Sequence, residues 1–259
     1  MNFGRISVLA TNVFREIVRD RILYIIGFYG LILAAAIRVL PEFAASTEDK
    51  MFLDFGLAAM NILGLIVAVF VGTGMVNKEI EKRTVLMLIA KPISRSEFLA
   101  GKYFGLSSVL AVLITSMTAI YLAFLQFGKI PHPTASILIA ALFLFLQLCL
   151  VAAIAITLGV FTSSLLATAL TFAVYLMGNI SEDLVNLGRL GNNLNIERLT
   201  QGLYLVLPDL SRLDFKNDAV YGLQALPDST ALIANAGYSL LYTIMLLAIA
   251  NLIFSQREF

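Results

Sequence analysis

Nine charged residues crowd the stretch NKEIEKRTVLMLIAKPISRSEFLAGK, positions 77–102, of a chain that is otherwise 59% hydrophobic. A phosphate-binding loop would need Gly-x-x-x-x-Gly-Lys-Ser/Thr, whose backbone amides wrap the phosphates. Here Gly101-Lys102 is followed by Tyr103, and Ser96 stands where the first glycine belongs. The segment cannot cradle a nucleotide, so any ATP must be hydrolysed on another polypeptide. Metal chemistry fares no better. A metal site needs several convergent ligands, whereas His132 is the only histidine and Cys149 the only cysteine. A single cysteine excludes an internal disulfide, and in an apolar run it reads as a small packing residue. There is no nucleophile elbow and no pair of carboxylates within an apolar run. No catalytic residue, metal or cofactor is expected in this chain.

The charges must then serve something other than catalysis. At roughly 2.5 kcal/mol each in mid-bilayer, burying nine would cost over ~20 kcal/mol. The segment therefore lies in water or against a soluble partner. Its composition is that of ordered structure. Asn77 to Ala90 contains no Gly or Pro, and Glu79 precedes Arg83 by four residues, the favourable order on a helix. Pro92 disfavours helix at Lys91. Ser94-Arg95-Ser96-Glu97 has the spacing of a capping box, with Ile93 and Phe98 at the staple positions. The expected order is a short helix, a proline break and a freshly capped helix. These residues alone leave two uses open: a stiff lever pushed by a partner, or a solvated amphipathic turn.

The elements on either side are membrane spans. Only 14% of the 259 residues are charged, against about a quarter in a soluble domain, and mean hydropathy is +0.90. Several apolar runs exceed about 18 residues, enough for a helix to cross a bilayer. Period-two alternation is absent, which argues against a β-barrel. The expected fold is an all-α polytopic membrane protein, a single transmembrane domain over 1–259. Spans are expected at about 22–40, 55–76, 103–126, 136–158, 165–180 and 230–254. Gly159 and Thr162-Ser163-Ser164 mark a tight turn between the fourth and fifth. Residues 1–20 lack the apolar core of a removable signal peptide. Their apolar positions, among them Phe3, Ile6, Leu9, Val13 and Ile17, approximate one helical face. They read as an interfacial amphipathic helix or, more blandly, as a positive anchor.

Six spans put both termini on one side. Arg5, Arg15, Arg19 and Arg21, with the six basic residues of 77–102 and Arg257, make that side cytoplasmic. Loops 41–54, 127–135 and 182–229 then face outward. The last is too long for a simple turn. Its Asn195–Leu207 stretch has helical spacing, suited to an external interfacial helix or to an extracytoplasmic partner. Within the spans no Asp, Glu or Lys lies deep, which favours an externally powered device over an ion-coupled carrier. Neutral amides such as Gln147 and Asn179 read as interhelical glue. Asn61, with Asn235, Tyr238 and Tyr242 of the last span, are the candidates for a translocation path. Gly56, Gly64, Gly72 and Gly74 imply close approach of the second span to a neighbour, for which the dimer mate is one choice. A net charge of +1 is neutral on nucleic acid, and none is expected among the partners.

The stretch 72–105, GTGMVNKEIEKRTVLMLIAKPISRSEFLAGKYFG, resembles the cytoplasmic signature of type-2 ABC (ATP-binding cassette) transporter permeases, especially the nitrous-oxide-reductase maturation and gliding-associated branch. The matching positions are Glu79, Glu81, Arg83, Thr84, Pro92, Ile93, Ser94, Arg95, Gly101 and Lys102; Val85 departs from the family's usual leucine. The resemblance implies a multi-pass permease of the plasma (inner) membrane, working as a homodimer or with a paralogue. Two copies of a separate ATPase subunit would bind ATP and Mg and drive alternating access, with export the expected direction. A coupling helix in 77–102 would meet the ATPase through Glu79, Lys82, Arg83, Pro92, Ser94 and Arg95. The alternatives are a structural or assembly subunit that uses the same loop only for docking, and a secondary transporter.

Overall fold

The computed structural model describes residues 3–43, 48–81, 94–180, 202 and 207–256. Seven α-helices and no strand occur among the described residues. They are α1 (Phe3–Ile17), α2 (Leu23–Phe43), α3 (Glu48–Glu81), α4 (Arg95–Phe127), α5 (Thr134–Phe161), α6 (Ser164–Asn179) and α7 (Ser229–Gln256). One π-helical turn, Val18–Ile22, joins α1 to α2. By length and composition α2, α3, α4, α5 and α7 can cross a membrane. With 16 residues, α6 is about 24 Å long at 1.5 Å per residue, against a hydrocarbon core of about 30 Å. The chain is an all-α polytopic membrane protein.

Several helix ends differ from the expected spans. The helix α3 begins at Glu48, inside the stretch 41–54 expected as loop, and runs unbroken through Glu81. Asp49, Lys50 and Asp54 all lie on these first turns, and the helix runs through them unbroken. Lys50 lays its ammonium 4.9 Å from the centroid of the Tyr221 ring. At the other end residues 77–81 continue α3 and do not start a separate helix. The tight turn expected after Gly159 is present: α5 ends at Phe161, and α6 restarts at Ser164 with the Ala167 amide bonded to the Ser163 carbonyl.

The core lies where α3, α4 and α5 meet. Met60 and Ala68 of α3, Leu106, Leu110 and Met117 of α4, and Leu148 and Ala152 of α5 are all inaccessible. In a bilayer such packing rests on close fit, because lipid tails are as apolar as leucine. The glycines of α3 supply that fit at eight-residue spacing. A Cβ would lie 2.3 Å from Tyr121 Cε2 at Gly56, 2.4 Å from Leu148 Cδ1 at Gly64 and 2.8 Å from Ala155 Cβ at Gly72. The close neighbours of this track are therefore α4 and α5 of the same chain. Two tyrosines pin the same helix through its carbonyls. The Tyr29 hydroxyl donates to Gly56 O (3.1 Å) and the Tyr121 hydroxyl to Leu53 O (2.9 Å).

Candidate functional site

Residues 82–93 lie between α3 and α4, so the helix that leaves this segment decides where a movement there can go. α4 starts with both halves of the expected capping box. Ser94 Oγ accepts from the Glu97 amide (3.2 Å), and the Glu97 carboxylate accepts from the Ser94 amide (3.1 Å). Together they satisfy two amides that a helix start otherwise leaves open. From there α4 runs to Phe127 as one helix, so its first turn and its far end form one rod. Ser94→Ala is expected to weaken this start by about 1 kcal/mol. Hydrogen exchange should then show the Glu97 amide exchanging roughly fivefold faster, since 1 kcal/mol is about that factor.

Two faces of the first three turns engage two other helices. Positions 97, 101 and 105, four apart, share one face. α1 is seated on it. A Cβ at Gly101 would lie 2.6 Å from Leu9 Cβ, and one at Gly105 would lie 2.6 Å from Val13 Cβ and 3.0 Å from Ala10 O. Ile6 and Val13 are buried here, while Arg5 Nη1 stands 3.9 Å from the nearly inaccessible Glu97 carboxylate. The expected amphipathic helix thus forms, and its apolar stripe is seated on a glycine track in α4. Phe3, although three residues before Ile6 on the expected face, stays exposed beyond the contact, as does Val8.

Positions 95, 98 and 102 share the second face, which meets the last turn of α7. Arg95 Nη1 donates to Phe254 O and to Ser255 O, both at 2.7 Å. The Phe98 and Phe254 rings stack with centroids 5.9 Å apart, and Lys102 Nζ sits 5.5 Å from the Phe98 centroid. So the N-terminal helix and the C-terminal turn of α7 both gather at the end of the bundle where α4 starts.

The expected site residues divide accordingly. Glu79 lies on the last turns of α3. Lys82, Arg83 and Pro92 fall outside the described residues, and with them the expected proline break. Ser94 caps α4, and Arg95 grips α7 while remaining exposed.

The candidate path residues fall into two sets at the opposite end. Asn61 Oδ1 accepts from the Tyr175 hydroxyl of α6 (3.2 Å). It lines a small pocket with Leu57, Leu144, Gln147, Asp214 and Lys216. Tyr238 has other partners: its hydroxyl accepts from the Asp209 amide (2.8 Å), Arg212 lies over its ring at 5.3 Å, and the Tyr242 ring is 5.6 Å away. Asn235 is half-buried on the same helix. Asn61 is thus tied to α6, while Tyr238 is tied to the turn at 209–212 and Tyr242 lies against Tyr238.

What joins this end is the segment 207–228, which folds over the helix ends. The amide of Leu210 donates to Gly178 O (3.0 Å). Gln147 Nε2 donates to Asn179 Oδ1 (3.0 Å) and Leu210 O (3.3 Å), while its buried Oε1 has no hydrogen-bond partner among the described residues. Ser136 Oγ donates to Ala219 O (2.7 Å), and Phe215 meets Phe143 edge-on at 4.9 Å. Asp209 is buried, bonded by Arg212 Nε at 2.9 Å and by the Ser211 hydroxyl. Gln147 and Asn179 were legible only as interhelical glue; nothing local to them names Leu210. The helix expected over 195–207 lies almost wholly outside the described residues. His132 Nδ1 donates to Ile130 O (2.8 Å), and among the described residues no group of three His, Cys, Asp or Glu is placed to hold a metal.

Over residues 8–259 the chain matches the family model described as ABC-2 family transporter protein. No significant match was found among curated proteins.

Proposed function

From the premise that this chain belongs to the ABC-2 family of transporter proteins, and is thus the membrane-spanning permease component of an ABC transporter, we propose that it is the permease of an exporter. Two copies of a separate ATPase subunit power it, and it pairs with a second copy of itself or with a paralogue. Within the family we assign it to the nitrous-oxide-reductase maturation and gliding-associated branch, on the likeness of residues 72–105. The end of the bundle holding 82–93 faces the cytoplasm of a cell bounded by this inner membrane, a reading supported by the arginines of residues 5–21. The ATPase docks on 77–102 through Glu79, Lys82, Arg83, Pro92, Ser94 and Arg95. Nucleotide-driven closure of the ATPase pair shifts the spans between two access states. Asn61, Asn235, Tyr238 and Tyr242 stay the candidates for the path, reached once 207–228 moves.

The observation that carries this reading is the continuous, packed helix on both sides of 82–93. α3 continues unbroken to Glu81, α4 restarts from a complete capping box, and α1 and α7 are packed against that start. A solvated turn would not need such a mounting. Co-expressed with an ABC ATPase subunit from the same genome, the tagged chain should retain its cognate ATPase through purification. Lys82→Glu with Arg83→Glu should cut the retained ATPase at least tenfold while the chain still inserts. Full retention by the double variant counts against docking at this segment, and no retention by the unaltered chain counts against the pairing itself.

A further inference from the structure

We propose that Arg95 is a positioning residue that makes the last turn of α7 move with the first turn of α4, so that a push on 82–93 reaches α7 directly. The proposal deepens the docking reading above and rests on it for the origin of the push; the link itself rests on geometry. The last carbonyls of a helix lack intrahelical donors and carry the negative end of its dipole. Phe254 O and Ser255 O are two such carbonyls, and both are held by one guanidinium nitrogen at 2.7 Å. A charged donor at a helix C-terminus is stronger than a neutral one. The guanidinium carbon also lies 5.9 Å from the Phe254 ring centroid. Phe254 in turn stacks on Phe98, one turn further along the same face of α4.

Arg95, Phe98 and Lys102 thus meet α7 along one stripe at i, i+3 and i+7. The neighbouring stripe, Glu97, Gly101 and Gly105, meets α1. A displacement of Ser94 is therefore imposed on three helices at once. α7 also runs along α5, where Thr157 Oγ1 donates to Leu246 O (3.2 Å) and Ser239 Oγ to Leu146 O (3.4 Å). Both contacts lie two or more turns from the end of α7. Arg95 adds the tie at the end itself, and it belongs to the first helical residue after the segment.

The test measures the distance between spin labels at Phe104 on α4 and Leu252 on α7, both exposed. The labelled chain sits in lipid nanodiscs, first alone and then with the co-purified ATPase and ATP. With Arg95 intact the distribution should be narrow and keep its mean when ATP is added. Arg95→Gln should broaden it at least twofold in both samples, and Arg95→Lys, which keeps a charged donor, should recover much of the narrowing. Phe254→Leu, which keeps the carbonyls but removes the stack, should broaden it less than Arg95→Gln. A narrow, unshifted distribution in Arg95→Gln overturns the proposal. So does equal broadening in Arg95→Gln and Arg95→Lys, which would mean a packing role alone. Loss of ATPase from the unaltered chain would sink the docking reading and leave the sample without ATPase to decide the role of Arg95.

Discussion

Gly105→Val is expected to lift α1 off α4 and to destabilise the chain by about 3 kcal/mol, at the upper end of what overpacking a closed contact costs. The added Cβ would stand 2.5 Å from Val13 Cγ1, 2.6 Å from Val13 Cβ and 3.0 Å from Ala10 O. Two of these three atoms are backbone or bonded to it, so no rotamer change relieves the clash and the whole of α1 must shift. The shift would also loosen Leu9 over Gly101 and move Arg5 from Glu97. A cysteine at Ile6, which is buried here, reads the result. Maleimide labelling of Ile6→Cys should rise at least tenfold in the Gly105→Val background, and thermal unfolding in nanodiscs should come earlier. Gly105→Ala should fall between, since it adds the Cβ alone. Unchanged labelling in Gly105→Val would show that α1 is not seated on this track.

A second large effect is expected at Gln147. Its Nε2 is the donor to both Asn179 Oδ1 and Leu210 O, and Asn179 Nδ2 is itself committed to Tyr175 O at 2.8 Å. The network therefore fixes which way both amides point. Gln147→Leu strands two acceptors, at about 1–3 kcal/mol for each that water cannot reach. Gln147→Glu should be worse, because an ionised carboxylate would face two oxygens. Protonation gives that carboxyl one donor, so the Glu variant should be less impaired at pH 5 than at pH 8. The original protein and Gln147→Leu should show no such difference from this site. Hydrogen exchange at Leu210 is the direct measure, because its amide is held by Gly178 O. It should quicken in the order Gln, Leu, Glu at pH 8. Equal protection in all three would mean that Gln147 does not hold the segment 207–228.

How much of this was legible beforehand depended on how far apart the interacting residues are in the chain. The capping box of Ser94 and Glu97 closes within three residues, and it stands where its pattern placed it. The turn at Thr162-Ser163 and the helix of residues 3–17 are equally local, one a breaker cluster and the other a periodicity. The glycines of α3 announced a close neighbour but could not name it; Tyr121, Leu148 and Ala155 lie far along the chain from Gly56, Gly64 and Gly72. Arg95 was legible as a charge near a helix start, yet its partners at 254 and 255 are set only by how α7 returns. The first turns of α3 misled for a different reason. Charge bears on where a segment stands relative to lipid, but Asp49, Lys50 and Asp54 do not make the backbone there irregular: it is helix from Glu48. Asn61 was grouped with Tyr238 and Tyr242 because all are polar residues in spans, whereas hydrogen bonding ties Asn61 to Tyr175 and Tyr238 to Asp209.

The π-helical turn at Val18–Ile22 has a consequence for α1. Each residue of an α-helix advances the chain by about 100° around its axis, so a turn that holds an extra residue resets the phase between the helix before it and the helix after it. Removing a single residue there would leave both flanking helices intact and α2 in place. It would also rotate Ile6 and Val13 by about that angle, out of the groove that receives them. The angular register of the amphipathic helix is therefore set by the wide turn behind it, and its own apolar pattern settles only which stripe is offered.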